Sequence, residues 1–152
     1  MQGENPRSIF SYSGHPTHAA LVSFPIAFLN GALVSDVLFW QLGDPFWARA
    51  SFYLIGAGIV MALLAALAGF TDFLGDRRVR ALGHAWQHMI GNLLAVGVAA
   101  ANLVLRLADP AAAIMPTGLV LSAAVALILS FTGWLGGELV FHHRVGVANQ
   151  PE

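Results

Sequence analysis

Apolar residues fill four long stretches of the chain, separated by short segments rich in proline, glycine and charge. Each stretch is long enough to cross a hydrocarbon core about 30 Å thick at a rise of about 1.5 Å per residue. The pattern predicts helices over about 18–42, 48–73, 81–107 and 115–141. The breaks carry turn chemistry. Gly43-Asp44-Pro45 ends the first helix, and Phe46 and Trp47 behind it suit an interfacial aromatic anchor. Gly75-Asp76-Arg77-Arg78-Val79-Arg80 is a charged connection too short to be a domain. Asp109-Pro110 ends the third helix, and Pro116 suits the first turn of the fourth. Pro25 inside the first helix leaves the carbonyl of Leu21 without its usual donor, which predicts a bend beside His18.

Short connections make neighbouring helices antiparallel. The expected fold is therefore an all-α membrane protein, one domain over 1–152, with a four-transmembrane-helix up-down-up-down bundle and both termini on the same side. No internal repeat or low-complexity tract is evident. Small residues in the second and third helices (Gly56, Gly58 and Gly69; Gly91 and Gly97) predict close helix contact, as does Gly133-xxx-Gly137 in the fourth.

Composition changes this picture only by excluding alternatives. The 152 residues are 57% hydrophobic and 10% charged, against about a quarter charged in a soluble domain. Mean hydropathy is +0.70, so a water-soluble globule is excluded. Net charge is −1, there is no lysine, and the seven arginines form no basic stripe, so a nucleic-acid partner has no electrostatic support. With no cysteine, disulfides, iron–sulfur clusters, thiolate zinc and thiol nucleophiles are all removed. No phosphate-binding glycine loop, HExxH or serine-nucleophile motif is present, so hydrolase and nucleotide-binding readings lose support. Met1 to Thr17 lacks the basic-then-apolar order of a secretory signal. Arg7, Arg77, Arg78, Arg80 and Arg144 flank the terminal side and Arg49 and Arg106 the other, which under the positive-inside rule predicts cytoplasmic termini.

Histidine is the remaining residue type for metal or proton chemistry, and the four-helix reading places all six at one end of the bundle. His84 and His88 are one turn apart on the third helix, and Asn92 extends that face a turn deeper. His15 and His18 precede or open the first helix, while His142 and His143 follow the fourth. Imidazoles from three segments are thus expected to meet around a shared ligand. His15 and His142, outside the spans, also suit the headgroup layer as ordinary polar residues, whereas an unpaired His88 would cost free energy in hydrocarbon. Asp36 lies far from the histidines and is expected to be structural, accepting from hydroxyls of the second helix or a backbone amide. Asp72 and Glu138 lie at the histidine level, where they would orient an imidazole or pair with Arg77, Arg78 or Arg144.

Gly14-His15-Pro16-x-His18, Phe24-Pro25-Ile26-Ala27, Asp36, Asp72, Arg80 to His88 with Asn92, and Gly133-Trp134-Leu135-Gly136-Gly137-Glu138-Leu139-Val140 leading to His143 and Val145-Gly146-Val147 resemble an uncharacterised bacterial four-helix membrane family. The domain of that family also occurs fused to Rieske-type iron–sulfur domains. The resemblance covers nearly the whole chain and implies a four-helix fold, a bacterial inner membrane and a redox neighbourhood. Its motif positions are His15, His18, Asp36, Asp72, His88, Asn92 and His143. The chain departs from the family pattern at Ala19, His142 and Arg144.

The expectation is a small b-type cytochrome: haem b held by His88 and either His18 or His143, with His84 and Asn92 on the same face. Arg77, Arg78, Arg80 and Arg144 would meet the anionic propionates. Electrons would pass to or from a quinone or an iron–sulfur or cytochrome partner. The alternative is a non-haem iron, copper or zinc site drawn from His15, His18, His84, His88 and His143. A third reading is a non-catalytic subunit of a respiratory complex. The lipid bilayer is a partner in every case, and a homo-oligomer is compatible with each.

Overall fold

The computed structural model describes residues 5–6, 8–12 and 15–147; the side chains of Ser11, Tyr12 and His15 are outside that description, as is Arg7. Among the described residues, four helical spans are long and apolar enough to cross a membrane: Thr17–Leu42, Pro45–Gly75, Gly83–Leu105 and Ile114–Phe141. They match the expected stretches to within a few residues. The chain before the first span makes a two-residue antiparallel pairing, β1 (Ser11–Tyr12) with β2 (His15–Pro16).

The first span is broken at Val22 into α1 (Thr17–Leu21) and α2 (Ser23–Leu42). The break lies just before Pro25, whose missing N–H cannot serve the carbonyl of Leu21. Gly43 then closes the helix in the left-handed conformation at φ 67°, with its N–H on the Phe39 carbonyl, a C-terminal cap that a residue without Cβ adopts freely. α3 (Pro45–Gly75) starts with Asp44 as N-cap, its carboxylate accepting from the Phe46 N–H, and Pro45 in the first turn. The short α4 (Arg77–Arg80) is capped the same way by Asp76. α5 (Gly83–Leu105) forms the third span. The fourth opens on a wide turn, Ile114–Gly118, containing a cis Met115–Pro116 bond, and continues as α6 (Leu119–Phe141). Pro116 therefore belongs to an irregular entry and not to a regular first helical turn.

Consecutive spans are antiparallel, as their bonds record. His18 reaches the carbonyl of Ala65 and Ser51 that of Ala32. His88 reaches the carbonyl of Thr132 and Asn102 that of Gly118. The core between the four spans is built of Leu29, Ala32, Ile55, Ala95, Ala99, Val125 and Leu129, whose small members let the helices approach closely. Large apolar side chains such as Leu67, Leu94 and Leu127 face outward, as a lipid-facing surface requires.

The glycines divide by face. A Cβ on Gly58 would lie 2.7 Å from Leu29, and one on Gly91 would lie 2.5 Å from Thr132. Gly56, Gly97 and Gly133 have open space, and Gly137 meets only Phe141 one turn along its own helix. Gly133 and Gly137 therefore do not make the helix contact expected of their spacing; the neighbour Gly136 makes the close approach instead.

Candidate functional site

At the terminal end of the bundle, four of the described histidine side chains form two pairs. His18, at the start of the first span, donates from Nδ1 to the Ala65 carbonyl at 2.8 Å. Its ring lies over Gly69, where a Cβ would come within 2.8 Å of Nδ1. His88 donates from Nδ1 to the Thr132 carbonyl at 2.9 Å and lies over Gly136, where a Cβ would come within 3.2 Å of Cε1. Each imidazole thus bonds to a carbonyl on the adjacent helix and packs on the glycine one turn further along. The carbonyl can only accept, so Nδ1 carries the proton and the lone pair resides on Nε2. The two ring centroids are 6.1 Å apart with the planes at 84°, an edge-on contact.

The second pair is His84 and His143, with Nδ1 and Nε2 3.2 Å apart. His142 turns away: it is exposed and pairs with Glu138, so Glu138 orients neither an inward imidazole nor an arginine. Asn92 donates to the His88 carbonyl at 2.7 Å and accepts from the Thr132 hydroxyl at 3.3 Å. It supports the residue that anchors His88 and does not join the imidazoles directly. Among the described residues, no group of three or more His, Cys, Asp or Glu stands ready to hold a metal ion.

The remaining polar residues at this end organise backbone. Asp72 accepts from the Ser8 hydroxyl at 2.9 Å and from the Ile9 and Phe10 N–H groups at 2.7 and 2.9 Å, so it staples the N-terminal segment to the second span. The Gly146 N–H reaches the Pro6 carbonyl at 2.9 Å, which joins that segment to the C-terminal turn. Arg78 pairs with Asp76 at 2.8 Å, and Arg80 donates to the Leu74 carbonyl. Arg77 and Arg144 are exposed, and Arg144 holds a left-handed backbone at φ 52°.

The opposite end holds a second polar centre. Arg106 caps the C-terminus of α5 and is fully buried, with its guanidinium forked onto the Asp36 carboxylate at 2.7 and 2.8 Å. Its Nη1 also donates to the Ser51 hydroxyl at 2.7 Å and its Nε to the Asn102 side-chain oxygen Oδ1 at 2.9 Å. Ser122 donates to Asp36 at 2.6 Å and accepts from Asn102 at 2.9 Å. All four spans contribute, and no buried side-chain polar atom among the described residues lacks a partner. Asp36 was expected to accept from hydroxyls of the second span or a backbone amide, and its partners differ. They are Arg106 of the third and Ser122 of the fourth. Arg106 was counted in the sequence only as a flanking charge at the far end of the third helix.

The two centres are related. The same 70 residues separate His18 from His88 and Asp36 from Arg106, and each pair meets across the interface between the two helical hairpins. The two contacts between the hairpins thus share one sequence separation.

The model of a family described as a predicted membrane protein of the DUF2231 type matches residues 14–149. The chain belongs to this family. Neither a curated protein nor a solved structure matches it. Among the motif positions of the resemblance in this DUF2231 chain, His18 and His88 meet across the interface between the hairpins, and Asp36 lies in the buried centre opposite. Asp72 and Asn92 support backbone and neighbour, and His143 joins His84. The side chain of His15 lies outside the described residues.

Proposed function

We propose that the protein is a small b-type cytochrome-like redox protein of the bacterial inner membrane, with both termini cytoplasmic and with His18 and His88 as the residues that would hold one haem. The observation that carries this reading is the pair itself. Each imidazole is fixed through Nδ1 to a backbone carbonyl, the arrangement that orients metal-ligating histidines and leaves Nε2 for the metal. The two rings lie 6.1 Å apart between centroids, so both Nε2 atoms belong to one site where they would hold a single group. A pair of protein ligands completes an iron whose other four come from a porphyrin, whereas a non-haem zinc site takes three or four. His18, not His143, is then the partner of His88.

The haem would supply one-electron transfer. The chain's own residues set the ligand geometry: Ala65 and Thr132 hold the proton side of each ring, Gly69 and Gly136 give the rings room, and Asn92 steadies Thr132. Arg77 and Arg144, exposed at this level, are the cations open to propionates, since Arg78 and Arg80 have partners within the chain. A quinone or a small redox protein is the exchange partner of this reading.

Visible absorption of protein purified from haem-supplied cells tests it. A Soret band that is lost in His18→Ala and His88→Ala and kept in His142→Ala, at equal folded yield, is the expected result. Folded protein without porphyrin overturns it, and iron, copper or zinc found in its place would favour the non-haem alternative.

A further inference from the structure

The long helices form a ring in which α2 packs on α3 and α6, and α5 packs on the same two. α3 and α6 therefore stand at opposite corners, and the spans that carry His18 and His88 at the other two. The N-terminal segment joins the first diagonal. Asp72, in the last turn of α3, accepts from the Ser8 hydroxyl and from the Ile9 and Phe10 N–H groups. On the far side, the turn after α6 is tied to the same segment: Gly146 donates its N–H to the Pro6 carbonyl at 2.9 Å, and Asn5 donates from Nδ2 to the Val147 carbonyl at 3.2 Å. A segment fastened at both corners crosses the end of the bundle from one to the other, over the diagonal on which the two imidazoles meet.

The crossing lies beyond the pair, toward the terminal end. His18 rests on Gly69, and Asp72 and Gly75 follow three and six residues later on the same helix, about 5 and 9 Å nearer its end at a rise of about 1.5 Å per residue. Two glycines fit the segment to the body. A Cβ on Gly75 would collide with the Ile9 side chain, and one on Gly146 would lie 3.1 Å from Pro16 and 3.4 Å from Ser8. Pro16 is two residues before His18, so the C-terminal turn, the segment and the entry of the first span close over one another. The fastening is mainly polar. Ile9 and Phe10 are 54% and 51% exposed, so apolar burial holds the segment weakly and the three hydrogen bonds to one carboxylate carry the tie.

We propose that the N-terminal segment is a gate across the terminal mouth of the His18–His88 site, latched by Asp72, and that its release admits water-borne reactants to the two Nε2 atoms. The gate follows from where the chain crosses the bundle and rests on no assumption about the group the imidazoles hold. With the latch closed, both rings are half-buried and a reactant must wait for the segment to lift. Segments with few buried apolar contacts open at low free-energy cost, and a carboxylate accepting from backbone N–H groups is among the stronger single ties a chain can make. Asp72 is thus a positioning residue for the segment and takes no part in chemistry at the imidazoles.

Diethyl pyrocarbonate, which attacks the unprotonated imidazole nitrogen, tests the gate on the full chain purified in detergent from haem-deficient cells, with each histidine followed by mass spectrometry. Asp72→Ala removes all three bonds and should raise the reaction rate at His18 and His88 about tenfold, while the exposed His142 reacts as in the parent. A disulfide supplies the lock. A Cβ on Gly75 would stand 3.6 Å from that of Ile9, within the range a disulfide bridges, and no native cysteine competes. Ile9→Cys with Gly75→Cys, added to Asp72→Ala, should react fast when reduced and return to the parent rate when oxidised. The two redox forms share one sequence, so this reversal separates gating from damage to α3. Where Asp72→Ala does not fold by circular dichroism, the two cysteines in the parent background give the same comparison, with the reduced form reacting faster. Equal rates in the two redox forms, or no acceleration by a folded Asp72→Ala, would overturn the proposal. Because the chain carries no haem in this measurement, failure of the haem reading leaves its outcome unchanged, and failure of the gate leaves the Soret test unchanged.

Discussion

Gly69 shows how much of the histidine end rests on a missing atom. The ring of His18 occupies the space a Cβ would need, at 2.8 Å from Nδ1, so alanine there forces the imidazole off the Ala65 carbonyl. Inserting a methyl into packed interior costs about 1–3 kcal/mol. Gly97 is on the exposed side of its helix with nothing within 4 Å, and alanine there removes only glycine's backbone freedom, worth up to about 1 kcal/mol in the opposite direction. Gly69→Ala should therefore weaken haem uptake by about tenfold in a visible titration, the equivalent of about 1.4 kcal/mol, while Gly97→Ala leaves uptake unchanged and raises the melting temperature slightly. Equal uptake by the two variants would show that His18 is not held in the position on which the ligand assignment depends.

At the scale of the helices, the spans are legible from the chain because length and hydropathy alone define a segment that crosses a bilayer, and caps such as Asp44-Pro45 and Gly43 mark their ends. The pairing of side chains between spans is not legible in the same way. Nothing local distinguishes Arg106 from a loop arginine: it stands three residues before Asp109-Pro110, and its partner is 70 residues away. Gly136 and Gly133 are equally plausible contact glycines until the rotation of α6 is known. The His84–His88 face was readable from its one-turn spacing, but its division between two partners depends on how the third span sits between the first and the fourth.

The buried centre that results couples all four helices, and its energetics follow from that. Removing one member leaves a charge uncompensated in a site with no access to water, which costs about 3–5 kcal/mol, whereas replacing both members with apolar residues of similar volume is often neutral. Arg106→Met and Asp36→Asn should each lower the unfolding free energy in mixed micelles by several kcal/mol. Asp36→Leu combined with Arg106→Met should recover most of that loss. Independent, additive effects in the double variant would mean that the fork between the two side chains contributes nothing beyond each side chain's own packing.

At the scale of the whole molecule, two like hairpins place the imidazole pair at one end of the bundle and the ion pair at the other. Eighteen residues separate His18 from Asp36, which at a helical rise of about 1.5 Å is about 27 Å, close to the thickness of the hydrocarbon core. The ion pair also alters the charge balance that sets orientation. A loop arginine opposes translocation because its charge faces water or headgroups, and Arg106 instead has its charge matched by Asp36 inside the bundle. It therefore leaves the count of loop charges, so that Arg49 stands alone among the described arginines at that end against Arg77, Arg78, Arg80 and Arg144 at the histidine end. The positive-inside rule then favours the proposed orientation, with cytoplasmic termini, more strongly than the bare sequence count does. A C-terminal fluorescent-protein fusion should accordingly be bright and the corresponding alkaline phosphatase fusion inactive. The variant with Asp36→Leu and Arg106→Met should retain that topology, since neither residue contributes loop charge. Phosphatase activity at the C-terminus of the parent chain would refute the orientation, and reversal in the double variant would show that the ion pair and not the loop charge sets it, because loss of Arg106 can only strengthen the loop-charge bias.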